Sequence, residues 1–126
     1  MKKLLASVAM IALLTSGVAA MAQDAAPVDP GHPRVNEVDQ RLNDQQNRVD
    51  NGVKDGQIGA KQEMRDDKTD ARVSQEMSKD EAKNGGHITK AEQRKMNRQL
   101  NKNSGRIHRQ RANGALRNAN KTAPAQ

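Results

Sequence analysis

Asn84-Gly85-Gly86-His87-Ile88-Thr89, followed by Glu92, Met96, Leu100 and Ile107, is the stretch whose reading decides the fold. The paired glycines stop one helix. Thr89, with Glu92 three residues later, starts the next as a capping box, in which each side chain satisfies a free backbone N–H. Met96, Leu100 and Ile107 then recur at steps of four and seven, with Asn103 in the gap. That spacing is one apolar face of a helix, and alternation at period two is absent.

An echo lies upstream. Gly56-Gln57-Ile58-Gly59-x-x-Gln62 matches Gly86-His87-Ile88-Thr89-x-x-Glu92 at an offset of 30. Leu42-Asn43 with Arg48-Val49 matches Leu100-Asn101 with Arg106-Ile107 at an offset of 58, and Arg72-Val73 is a further partial copy. The two glycine turns divide the chain into three helices, so the spacing predicts an all-α fold with helices over about 33–54, 60–83 and 89–112. Pro33 suits a first helical position. Val35, Val38, Leu42 and Val49 stripe the first helix, with Gln45 or Gln46 in the gap. The second has Met64, Val73 and Met77, and Asp66-Asp67-Lys68-Thr69-Asp70 interrupts its stripe, where a break is expected. Asn113-Gly114 is expected to fray the third, leaving 113–126 as a disordered basic tail.

Lys2 and Lys3, the apolar run 4–14 and the small residues ending Ala20-Met21-Ala22 form a signal-peptide pattern over 1–22. Cleavage is expected between Ala22 and Gln23, with a second choice before Met21 after Val18-Ala19-Ala20. The run is shorter than the roughly 20 residues that span a bilayer. No cysteine follows it, so no lipid anchor of the bacterial lipoprotein kind is expected. The expected address is periplasmic or secreted. A linker with Pro27, Pro30 and Gly31 covers 23–32, and the helical domain covers 33–112.

The chain has no cysteine, Phe, Tyr or Trp. No disulfide can staple it, and large aliphatic side chains are few, so the helices are expected to be marginal alone or stabilised by self-association. Charge is unevenly placed. Residues 23–89 carry 10 Lys/Arg against 14 Asp/Glu, whereas 90–126 carry 10 against one, Glu92. Arg94, Lys95, Arg98, Lys102, Arg106, Arg109 and Arg111 line the third helix as candidates for an anionic partner such as phospholipid headgroups or lipopolysaccharide. The alternative is that this helix docks on the acidic first two. Without aromatic side chains there is no base stacking, so no specific nucleic acid is expected.

Metal and catalytic chemistry have thin material. Glu81, His87, Thr89 and Glu92 are the candidates for a cation. On a calcium-loop frame, Glu81, Lys83 and Gly85 occupy the first three ligand positions, so a lysine and a glycine replace two oxygen donors. In the first turn those positions are Asn51, Val53 and Asp55, with Gln62 at the last. His32, His87 and His108 are the only histidines, and none pairs with another at helical spacing. Ser74, Ser78 and Ser104 lack the glycine setting of a nucleophile elbow, and no glycine loop cradles a phosphate. Neither an enzyme nor a cofactor is expected.

The pattern Gly86-x-Ile88-Thr89-x-x-Glu92, with Asn97-Arg98-x-Leu100-Asn101-x-x-Ser104-x-x-Ile107, resembles a group of small exported proteobacterial proteins whose helix–turn repeats are read as degenerate EF-hands. The likeness covers about 35–111 and departs at Gly59 and Gln62, where the first repeat of that group carries Thr and Glu. It implies an all-helical periplasmic protein in which Ile58 and Ile88 can lie side by side. Ile88-Thr89-x-x-Glu92 with Gln93-Arg94 and Met96 also resembles the helix start of the Spy and CpxP periplasmic chaperones, with Glu92 in place of their glutamine. That likeness implies unfolded-protein clients held on a basic, methionine-bearing face.

Overall fold

Three amphipathic stretches separated by glycine turns become three helices because each turn can adopt backbone angles closed to other residues. In the computed structural model, which describes residues 29–123, these are α1 (Pro33–Lys54), α2 (Ala60–Lys83) and α3 (Lys90–Thr122). The signal-peptide reading and most of the linker reading lie outside the described residues.

Both turns are built alike. Gly56 has φ +66° and Gly85 has φ +67°. After α1, Gln57 N donates to Gly52 O at 2.8 Å, and after α2, Gly86 N donates to Glu81 O at 2.7 Å. These six-to-one bonds close helix ends that would otherwise leave carbonyls unpaired. Past each turn an isoleucine is buried, and a new helix is capped. Thr89 N donates to Glu92 Oε2 at 2.8 Å and Glu92 N to Thr89 Oγ1 at 3.2 Å. Half of that device survives in the first turn, where Gly59 N donates to Gln62 Oε1 at 3.0 Å.

The helices run up, down and up, and each packs on the other two. Hydrogen bonds link Glu37, Arg41, Gln45 and Arg48 to residues 55 to 60 positions later in α3, so α1 and α3 are parallel. The offset of 58 therefore places equivalent residues face to face, Gln45 against Asn103. The up-down-up course also separates the two turns. Ile58 packs with Val49 and Ile107 at one end, and Ile88 packs with Val35, Val38, Val73, Met77, Met96 and Leu100 at the other. The side-by-side placement of Ile58 and Ile88 expected from an EF-hand pair is thus overturned, because a single helix of 24 residues lies between them.

Buried polar residues fill the middle of the bundle, with Gln45, Asp70 and Asn103 between the two apolar clusters and Asp66 and Gln110 continuing beside Ile107. This polar layer explains how so few aliphatic residues close a bundle within one chain. Polar residues occupy core positions and the apolar ones are concentrated at the ends. Continued along the chain, the 30-residue echo sets Asp66 against Met96 and Asp70 against Leu100, and all four are buried. The acidic run therefore does not break α2, which passes through it without interruption. Met64 is 71% exposed and does not belong to the core.

Helix α3 continues ten residues beyond the predicted fraying point at 112. Gly114 is no helix stop here. A Cβ at that position would sit 2.0 Å from the Gln57 carbonyl oxygen, so the glycine lets the α1–α2 turn lie directly on α3. Asn118 Nδ2 then donates to Asp55 O at 3.2 Å and fastens the extension. Among the described residues, no helix is long and apolar enough to cross a membrane.

Candidate functional site

Helix α3 presents the seven basic candidates, and the bundle sorts them into two groups. Three engage acidic neighbours. Lys95 pairs with Glu76 of α2, and Gln99 Nε2 donates to the same carboxylate at 2.7 Å. The hydrogen bond from Lys95 holds the Glu76 carboxyl below its usual range. Arg106 Nη1 lies 3.7 Å from Asp66 Oδ1 and also reaches Thr69 Oγ1 at 3.4 Å and Asn103 Oδ1 at 3.3 Å. Arg111 Nε donates to Gln57 Oε1 at 2.9 Å, and its Nη2 is 3.6 Å from Asp55 Oδ2. Docking on acidic neighbours therefore accounts for part of the basic charge.

Arg94, Arg98, Lys102 and Arg109 form the other group. All four are exposed, and among the described residues none makes an ion pair or a side-chain hydrogen bond. At about 100° per residue they fall within a sector about 80° wide, facing away from Met96, Leu100 and Ile107. They extend over about 22 Å of helix. Leu116, 64% exposed, lies on the same side two turns further on. The helix beneath them packs on both α1 and α2, which hold the stripe in place.

Beside this stripe an open cleft of about 360 Å³ is lined by Arg48, Gln57, His108, Arg111, Ala112 and Ala115. Its arginines are already engaged. Arg48 Nη1 donates to Ser104 Oγ at 2.6 Å, and Arg111 is held by Gln57 and Asp55. That bond also places Ser104 in a structural contact.

The four cation candidates have separate duties. Thr89 and Glu92 cap α3, and Glu92 also accepts from Asn84 Nδ2 at 2.9 Å and lies 3.9 Å from Lys83 Nζ. The backbone N–H of Thr89, then Asn84 and Lys83, hold the Glu92 carboxyl below its usual range. Glu81 contributes its backbone carbonyl to the turn. His87 instead meets His32, with ring centroids 4.3 Å apart and planes tilted by 33°. His32 Nε2 is 3.7 Å from Asp29 Oδ2. Among the described residues, no three His, Asp or Glu side chains converge as a metal site.

Two features escaped the sequence reading. The contact between His32 and His87 depends on how the ends of the bundle meet, which spacing along one helix does not carry. The buried pair Asp66 and Asp70 did carry a signal, since the 30-residue echo sets both at apolar positions of the sister repeat. Burial pushes the Asp70 carboxyl up to about 6, against the hydrogen bond from Asn103, and the charges of Asp66 and Asp67 add to the rise. Burial likewise raises Asp66, opposed by the charge of Arg106 and by the Gln110 side chain.

Comparison of the chain with family models, with curated proteins and with solved structures finds no match.

Proposed function

We propose that this chain is a non-enzymatic component of the bacterial envelope, exported by its amino-terminal signal, whose α3 face docks on a phosphate-bearing envelope surface. The observation that carries this reading is the stripe of Arg94, Arg98, Lys102 and Arg109, exposed and without internal partners on a helix held rigid by the bundle. Basic residues near an anionic membrane surface contribute about 1 kcal/mol each, so four of them make a useful but salt-sensitive attachment. Leu116 adds one apolar contact on the same face. Phospholipid and lipopolysaccharide share the phosphate chemistry this stripe fits. The chaperone reading has less in its favour, since Met96, the methionine of the basic helix, is buried in the core with Met77, and the exposed Met64 belongs to α2 instead.

The test is binding to vesicles of phosphatidylglycerol, of phosphatidylcholine and of phosphatidylcholine carrying lipopolysaccharide. Binding to the first or third, but not to the second, is expected. The preferred of the two anionic surfaces identifies the natural one. Equal binding to all three would remove the proposal.

A further inference from the structure

Asp66 and Asp70 lie inside the bundle with most of their hydrogen-bonding capacity unmet. Asp66 is fully buried and Asp70 is 7% exposed. Gln110 and Arg106 lie near Asp66, but neither of its oxygens receives a hydrogen bond of good geometry, and Oδ2 of Asp70 and the buried carbonyl Oε1 of Gln110 also lack one. The remaining oxygen of Asp70 accepts from Asn103 Nδ2 at 3.0 Å. Every unpaired atom in this layer is an acceptor. A carboxylate only accepts, whereas a carboxylic acid also donates, so the missing element is a proton. A buried acceptor left without a donor costs about 1–3 kcal/mol, and more when charged.

We propose that the layer formed by Asp66, Asp70 and Gln110 takes up a proton as the bundle closes, making the closed bundle more stable in mild acid than at neutral pH. The groups facing the pair leave this layer short of positive charge. Helix α1 supplies neutral Gln45, which bonds to Asn103 at 3.1 Å. Helix α3 supplies Asn103, one cation, Arg106, at 3.7 Å from Asp66, and Gln110, whose side chain also favours the charged form of Asp66 but, with Arg106, is outweighed by burial. Within α2, Asp67 opposes ionisation of both aspartates and Arg65 favours that of Asp66. The sister repeat shows what a settled layer looks like, with Met96 and Leu100 in the corresponding places, both fully buried.

The sign follows from proton counting. Asp70 titrates near 6 in the bundle and at the ordinary 3.8 when unfolded, so between these values the folded form binds more protons. Its contribution is full below the unfolded value and is lost as pH rises through the folded one. Glu76 and Glu92, held low, act oppositely and lose their contribution as pH falls through their own folded values. Stability should therefore peak in mild acid, at about pH 5.

The experiment is denaturant unfolding of the purified protein at about pH 5 and about pH 7.5. The folding equilibrium constant is expected to fall roughly tenfold over that rise. Asp70→Asn should flatten the dependence. Asp66→Met with Asp70→Leu, copying the sister repeat, should flatten it and raise stability at neutral pH. Carbon-detected NMR titration of the unaltered protein supplies a readout that needs no variant, and Asp70 is expected to titrate well above its unfolded value. A folding constant that holds or rises towards neutral pH would overturn the proposal, as would ordinary titration of Asp70. So would restoration of neutral-pH stability by millimolar magnesium or calcium in the unaltered protein but not in Asp70→Asn, because the layer would then be a cation site.

Discussion

Asn103 of α3 faces Gln45 of α1 across the middle of the bundle, donating from Nδ2 to Gln45 Oε1 at 3.1 Å. The same amide group donates to Asp70 of α2 at 3.0 Å. Gln45 Nε2 in turn donates to the Leu100 carbonyl at 2.7 Å. One amide thus ties all three helices in register, and polar residues at core positions are a known means of fixing the alignment of packed helices.

Asn103→Ala should lower stability by about 2–4 kcal/mol, because it leaves Gln45 and Asp70 with buried acceptors unmet. Urea unfolding monitored by helix content measures the change. A loss below about 0.5 kcal/mol would mean that the layer is open to water.

Gly114→Ala tests the extension of α3. The added methyl meets the backbone of Gln57 rather than a movable side chain, so the turn must shift. Overpacking of this kind costs roughly 1–3 kcal/mol. Amide hydrogen exchange should become faster for residues 115–122, and Gly105→Ala, whose methyl meets nothing within 4 Å, serves as the matched control.

Thr89→Ala removes one arm of the α3 cap and should cost about 1 kcal/mol. Calorimetric unfolding of the variant beside Ser and Asp replacements measures it. The replacements should recover most of the loss, since each again offers an oxygen to the Glu92 amide.

Lys95→Ala should leave binding to anionic vesicles nearly unchanged, because Glu76 already holds that lysine. Arg98→Ala should weaken it by roughly fivefold, the equivalent of about 1 kcal/mol. Cosedimentation titrations of the two variants distinguish the cations engaged by acidic neighbours from the unengaged ones.

Much of this architecture was legible in local chemistry. The glycine turns, the Thr89–Glu92 cap and the apolar spacing of α1 and α3 each need only neighbouring residues to be interpreted. Asn103, and Gln45 or Gln46, were visible as gaps in their stripes. What escaped depended on contacts between segments. Asp66 and Asp70 looked like a solvated break because acidic residues normally stay in water. Their burial follows from the bundle register, which also gives Arg106 an inward role. Gly114 looked like a stop because its close approach to Gln57 is a tertiary fact. Of the candidate site, the basic stripe could be read from spacing. Which of its members remain free could not, because their acidic partners come from α2 and the first turn.

The most direct test of the proposed role is the salt dependence of binding to phosphatidylglycerol vesicles, compared between the unaltered protein and Arg94→Ala/Arg98→Ala/Lys102→Ala/Arg109→Ala. The unaltered protein should lose affinity steeply with added salt, and the fourfold variant should bind on the order of 1000-fold more weakly at low salt with little remaining salt dependence. Equal affinity and equal salt dependence in the two proteins would contradict the assignment of this face.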